Sequence, residues 1–134
     1  MGTLSDREFH DEALRGGASR HYESGNVPDR GFMVGGARNA EDLPYPELKR
    51  PVDSFDLAEV RNHARAIQDH FGSGQAVHQG AWREGDDVVL DASEKVETYS
   101  SAMTMAKMRG ERAVYNVRRG KDHHVADLEG RVKN

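Results

Sequence analysis

The sequence contains no cysteine among its 134 residues, so disulfide bonds, thiolate metal ligands and a cysteine nucleophile are excluded. Hydrophobic residues make up only 36% of the chain and aromatic residues 7%, which predicts a lean core under a heavily charged surface. No apolar run approaches the roughly 20 residues of a membrane span, and residues 1–10 lack the apolar stretch of a signal peptide. We therefore expect a soluble protein with no membrane partner, working inside a cell or in a particle assembled there.

The charge of the chain is unevenly distributed. Nineteen basic residues against 23 acidic ones give a formal net charge of −4. Residues 107–122 oppose this balance, because they hold six basic and two acidic side chains and carry +4. Such a segment is either a binding patch for phosphate, nucleic acid or an acidic neighbour, or a solvated rim whose cations complement a helix C-terminus. The basic candidates for partner contact are Arg109, Arg112, Arg118, Arg119 and Lys121.

Residues 1–30 are polar and short of large apolar side chains, a composition typical of disorder. One local signal disagrees, since Ser5 and Glu8 have the spacing of a capping box. Gly16 follows as a helix stop. The spacing therefore predicts a short helix over residues 6–15.

Leu4 and Phe9 flank the start of this helix at the positions of a hydrophobic staple. A helix so short is marginal by itself, so it needs a docking surface on this chain or on a partner. We take both side chains as candidate partner contacts. The composition of residues 16–30 predicts a linker, which divides the chain into an N-terminal arm, 1–30, and a domain, 31–134.

The remaining pattern predicts an α+β fold. Apolar residues spaced by three and four predict the helix 56–71, the three prolines of 37–53 predict a loop, and Trp82 is expected to face Val88 or Leu90 across a hairpin. The predicted elements are strand 31–36, helix 56–71, hairpin 76–92, helix 99–109, strand 112–117 and a short return strand at 123–125. This order, β-α-β-β-α-β, fits a ferredoxin-like split βαβ unit or another small sheet with two helices packed on one face, preceded by the arm.

Seven histidines raise the question of a metal site. His63 and His70 share a helical face but lie about 10.5 Å apart along the axis at about 1.5 Å per residue, too far to bind one ion. His123 and His124 are adjacent and are expected on opposite sides of a strand. Ser93 stands outside the known nucleophile motifs. We predict no metal, no cofactor and no catalytic residues.

Residues 75–125 follow a pattern of Gly-x-Trp, a turn, a strand ending in Leu-Asp-x-Ser, a helix rich in Ala and Met, and a strand of the type Ala-Val-Tyr-x-Val. The matching positions are Gly80–Trp82, Val89–Ser93, the helix 99–109 and Ala113–Val117. Upstream, Gly31–Val34 followed by a helix fits the strand that begins the pattern. With these motifs the chain resembles, over about residues 31–125, a module that recurs in proteins of actinobacterial tailed phages.

The resemblance implies a small phage protein, of a type found alone or as a segment of large polyvalent or head-morphogenesis polypeptides. No catalytic residue set belongs to the module, so the resemblance implies a non-enzymatic protein that acts through protein–protein contacts. Its partners would be other phage proteins or a second copy of this chain, in the host cytoplasm or as a head or head-associated virion component. The alternative is a small module that binds nucleic acid or a host factor through residues 107–122. A nucleotide-handling transferase, related to neighbouring modules of such polypeptides, is the third hypothesis.

Overall fold

Three α-helices pack against an antiparallel sheet of seven strands in the computed structural model, which describes residues 2–125. The helices are α1 (Asp6–Arg15), α2 (Leu57–Phe71) and α3 (Tyr99–Arg109). The strands are β1 (Gly17–His21), β2 (Phe32–Val34), β3 (Leu48–Pro51), β4 (Val77–Glu84), β5 (Asp87–Val96), β6 (Ala113–Asn116) and β7 (Lys121–His124), and a 3-10 turn covers Val52–Ser54. The predicted α+β class is confirmed.

The sheet has the order β1-β4-β5-β2-β6-β7, and β3 pairs with β5 beside this path. β5 lies between β2 and β4, and β2 lies between β5 and β6. Three connections within residues 2–125 therefore pass intervening strands: residues 22–31 pass β4 and β5 between β1 and β2, α2 passes β5 between β3 and β4, and α3 passes β2 between β5 and β6. β4 and β5 are joined by a two-residue hairpin turn in which Gly85 has a φ of 63°, the left-handed conformation that such turns require.

All three helices cover the same face of the sheet. The side chains of β5 that pack beneath α1 and α2 are Val88, Leu90 and Ala92. α3 packs Ala102 and Ala106 on Val34 of β2. Because Val34 is paired with Glu94, and alternate residues of a strand share a face, this contact lies on the same side as Leu90. No helix of residues 2–125 is long and apolar enough to span a bilayer.

The N-terminal helix is part of the core of this chain. Ser5 and Glu8 form the predicted capping box, and the helix begins and ends at the predicted residues. Phe9 is fully buried in a cluster that includes Val60 of α2. Arg20 of β1, only 6% exposed, donates hydrogen bonds to the Oε1 of Gln79 at 2.9 Å, to the carboxylate of Asp6 and to the carbonyl of Leu4.

The linker predicted for residues 16–30 is wrong over β1, where Gly17–His21 pairs with His78–Trp82 of β4. The reason is that composition carries no information on a backbone partner so distant in the sequence. The same holds for the loop predicted at 37–53, in which β3 pairs with the edge of β5. Its proline, Pro51, occupies the last position of an edge strand, where a missing N–H is tolerated.

The prediction for Trp82 is wrong by one residue of register. Trp82 pairs with Val89, so it lies on the sheet face away from the helices, whereas Val88 and Leu90 face α1 and α2. A shift of one residue exchanges the two faces of a strand. Met1 of the predicted arm and residues 126–134 of the predicted domain lie outside the described residues.

Replacing Phe9 with alanine should lower the free energy of unfolding by about 3–5 kcal/mol, because a fully buried aromatic ring would leave a cavity. Urea unfolding followed by circular dichroism measures this. Leu43→Ala is the control, since Leu43 is 52% exposed and its loss should change little. Equal stability of Phe9→Ala and the parent chain would show that α1 is an undocked arm.

Candidate functional site

The structure separates the side chains that the sequence offered as partner contacts. Phe9 is buried in the core, and Leu4 packs half-buried against the same cluster. The side chain of Arg109 is only 10% exposed and pairs with Glu94 at 2.5 Å, so it fastens α3 to β5. Arg112, Arg118, Arg119 and Lys121 are exposed.

The first candidate site, which we call the arginine patch, is formed by Arg30, Arg118, Arg119 and Glu97. These side chains line a cavity of about 270 Å³ together with Gly31, Phe32 and Asn116. The backbone N–H of Val117 donates to the carbonyl of Gly31, which holds the turn between β6 and β7 against the start of β2. The sequence missed Arg30 because only the β2–β6 pairing brings it beside the turn.

Aromatic rings border the arginine patch. Tyr99 contacts Phe32 edge to face, with 5.7 Å between ring centroids, and His123 at 5.3 Å. Tyr99 remains 49% exposed. The patch therefore combines three guanidinium groups with a polar aromatic rim.

The second candidate site, which we call the carboxylate cavity, lies in a gap along one edge of β5. β3 pairs with β5 as far as Leu90, and β2 pairs with it from Glu94 onward. In the gap between these two pairings, the backbone N–H of Ala37 donates to the carbonyl of Ala92 at 3.1 Å. The cavity holds about 210 Å³ and is lined by Gly36, Arg38, Pro44, Tyr45, Glu47, Asp91, Arg109 and Glu111.

Gly35 explains how two carboxylates meet in this gap. A Cβ added there would fall within 3.0 Å of both the Oδ2 of Asp91 and the Oε1 of Glu111. Both oxygens therefore approach the backbone at a point where any side chain would displace them. The glycine at position 35 is a steric requirement of the carboxylate cavity.

The carboxylate cavity favours the protonated form of Asp91 and of Glu111. Burial, with a smaller contribution from the nearby carboxylates of Glu111 and Glu47, raises the pKa of Asp91 to about 7, although the backbone N–H groups of Ala92 and Gly36 stabilise its charged form. Burial also raises the pKa of Glu111. Tyr45 is 5% exposed, and its hydroxyl has no hydrogen-bond partner among the described residues. With a pKa of about 7, the Asp91 carboxyl is present in both its protonated and its charged form near neutral pH.

The sequence contained one signal for the carboxylate cavity, although Asp91 entered the sequence analysis only as part of the Leu-Asp-x-Ser motif. Asp91 interrupts the apolar run of Val88–Leu90 in a strand, and a charged residue within such a strand is expensive to bury without partners. Gly35 and Gly36 lie far from Asp91 in the sequence, and only the pairing of β2 with β5 brings them beside it. No group of three His, Asp or Glu residues within 2–125 is arranged to hold a metal ion.

Comparison of the chain with protein-family models, with curated proteins and with solved structures finds no match. The resemblance of residues 31–125 to the phage module therefore stays a prediction from the sequence.

Replacing Gly35 with alanine should lower the free energy of unfolding by about 1–3 kcal/mol, because the new methyl group overlaps two carboxylates. Gly80→Ala is the matched control. Gly80 is buried opposite Asp91, but a Cβ there meets the Asp91 carbonyl oxygen at an ordinary 3.7 Å. Chemical denaturation of both variants measures the difference, and equal effects would contradict the close approach.

The raised pKa of Asp91 predicts a pH dependence of stability. Between its ordinary value of 3.8 and about 7, Asp91 carries a proton in the folded chain but not in the unfolded chain. The free energy of unfolding therefore falls as the pH rises through this range. His63 and His78 act in the opposite direction, because burial lowers their pKa values to about 3 and about 4. They favour the folded state progressively as the pH rises toward 6.5.

Replacing Asp91 with asparagine removes the contribution of this carboxyl to the pH dependence and leaves the contributions of His63 and His78 in place. Relative to the parent chain, Asp91→Asn should gain stability on the order of 2 kcal/mol between about pH 5 and about pH 8. Urea unfolding at both pH values measures the gain. Asp86→Asn, in the exposed hairpin turn, should show no such gain, and a similar change in both variants would contradict the assignment.

Proposed function

We propose that this protein is a non-enzymatic bacteriophage protein that acts through protein–protein contacts, and that the arginine patch binds an acidic segment of its partner. The phage setting rests on the resemblance of residues 31–125 described above. The contact surface rests on one observation: Arg30, Arg118 and Arg119 converge on a single cavity although they come from separate parts of the chain.

A carboxylate is the ligand that the arginine patch fits best. Glu97 already occupies its rim, with an oxygen 3.6 Å from Arg30 and the other oxygen 3.3 Å from Lys95. The side chains of both Arg30 and Glu97 are more than half exposed, so a partner's carboxylate can exchange with this pair. Planar guanidinium groups bind carboxylates with two parallel hydrogen bonds.

Nucleic acid fits the arginine patch less well. The chain carries a net charge of −4, which opposes a long polyanion once contacts extend beyond the patch. Stacking of successive bases needs several exposed ring faces, and of the three rings beside the patch Phe32 and His123 are packed against Tyr99, which alone of the three is exposed. A short acidic protein segment has neither requirement.

Reversing the charge of Arg118 and Arg119 together should weaken binding of an acidic peptide about tenfold or more. The probe is a labelled peptide of alternating glutamate and serine, titrated by fluorescence anisotropy, and binding to the parent chain should weaken with added salt. The matched control is Lys107→Glu with Arg112→Glu, which makes the same charge change at exposed positions outside the cavity.

A single-stranded oligothymidine of equal formal charge forms the second arm of this titration. Tighter binding of the oligonucleotide than of the peptide would assign the arginine patch to nucleic acid. Equal weakening by both double variants would reduce the effect to overall charge and overturn the proposed surface.

The virion part of the proposal predicts that the protein copurifies with phage particles. Mass spectrometry of particles purified from a phage that encodes this chain should detect its peptides at a constant ratio to the major head protein. Absence from the particles, with the protein present in infected cells, would restrict its contacts to the host cytoplasm.

A further inference from the structure

One surface loop of this chain has the chemical character that the arginine patch accepts. Residues 39–47, which we call the acidic loop, hold three exposed acids and no basic side chain. Asp42 pairs with Arg38 at 3.5 Å, but its side chain is still 85% exposed. Leu43, the next residue, is a large apolar side chain and yet is 52% exposed. The loop therefore presents carboxylates beside an exposed leucine.

Hydrogen bonds fix the tip of the acidic loop. The Oδ1 of Asn39 accepts from the backbone N–H groups of Glu41 and Leu43, each at 3.0 Å. The carbonyl of Leu43 accepts from the N–H of Asn39 and, at 2.9 Å, from the Nε2 of His70, which ties the tip to α2. A loop that is already ordered loses little conformational entropy when it binds.

The acidic loop and the arginine patch lie at opposite ends of β2. Arg30 and Gly31 precede the strand and line the patch, whereas the loop follows the strand and Gly36. The three residues of β2 alone separate these ends by about 10 Å at about 3.3 Å per residue, and no residue of the loop lines the patch. Because the loop is tied to α2, a contact between the two surfaces requires a second copy of the chain.

On the basis of the function proposed above, we infer that the partner of the arginine patch is a second copy of this chain, whose acidic loop inserts into the patch. Leu43 of one copy enters the cavity beside Phe32 of the other, while Glu41 and Asp42 face the guanidinium groups. The cavity, at about 270 Å³, is smaller than the roughly 300–1,000 Å³ of sites for drug-sized molecules. It therefore suits one apolar side chain with carboxylates at its rim.

The contact joins two different surfaces, so each copy keeps a free loop on one side and a free patch on the other. Repetition of such a contact produces a ring or a filament and not a closed two-fold dimer. One loop in one cavity is a small interface, which predicts weak pairwise affinity. The net charge of −4 on each copy opposes the contact further. Self-association is therefore expected where copies are concentrated, as in an assembly.

Two variants and their mixture test this contact, because each variant removes one of the two surfaces. The patch variant is Arg118→Glu with Arg119→Glu, and the loop variant is Glu41→Gln with Asp42→Asn, since asparagine tolerates the φ of 61° at position 42. In sedimentation velocity from about 10 μM to about 1 mM, each should self-associate at least about tenfold more weakly than the parent chain. Their mixture should form a one-to-one pair that grows no further, because only one intact loop meets one intact patch.

Two further variants separate the contact from net charge and from folding. Asp53→Asn with Asp86→Asn removes the same charge at exposed acids outside the acidic loop, so this control should associate at least as well as the parent chain. Leu43→Ala should weaken association about tenfold without changing the free energy of unfolding. Equal weakening by the control and the loop variant would overturn the inference, and so would association at parental strength in both the loop and the patch variants.

The titration with the glutamate–serine peptide distinguishes failure of this inference from failure of the proposed function. A parent chain that binds the peptide but stays monomeric up to about 1 mM would overturn the self-association and leave the arginine patch to a different acidic partner. A chain that neither binds the peptide nor self-associates would overturn both. Peptide binding that competes with self-association would support both, because the peptide and the acidic loop then occupy one cavity.

Discussion

The burial of Asp91 in the middle of β5 is the constraint on which the surrounding structure depends. β5 is buried from Val88 to Ser93 and pairs along both of its edges. A carboxyl group in such a strand is costly to bury, and it has room beside the backbone because β3 pairs with β5 only up to Leu90 and β2 pairs with it only from Glu94 onward. Gly35 then admits two carboxylate oxygens where a side chain would stand. The carboxylate cavity is thus a product of strand pairing.

Strand β2 separates the two candidate sites, although it is only three residues long. Arg30 and Gly31, at its start, belong to the arginine patch, and Gly36, just beyond its end, belongs to the carboxylate cavity. The basic segment 107–122 is divided in the same way. Arg109 is fixed beside the acids of the cavity, whereas Arg118 projects at the opposite end. The chain therefore presents opposite charges at the two ends of one short strand.

The local elements could be predicted from the sequence because their signals are local. The capping box at Ser5 and the apolar stripe of α2 depend on residues within a turn or two of one another, and both helices begin and end within one residue of the predicted bounds. β1 and β3 could not be predicted in this way. Both are edge strands of mixed polarity, and each exists because a central strand offers it unpaired backbone groups.

The sequence by itself determined the helices, the hairpin and the α+β class, since apolar periodicity and turn residues specify them without reference to distant contacts. Tertiary structure alone decided which charges meet. Arg30 joins Arg118, and Asp91 joins Glu111, only through the pairing of β2 with its two neighbours. The physical reason is that charge–charge interactions depend on distance in space, which the sheet sets and the order of residues along the chain does not.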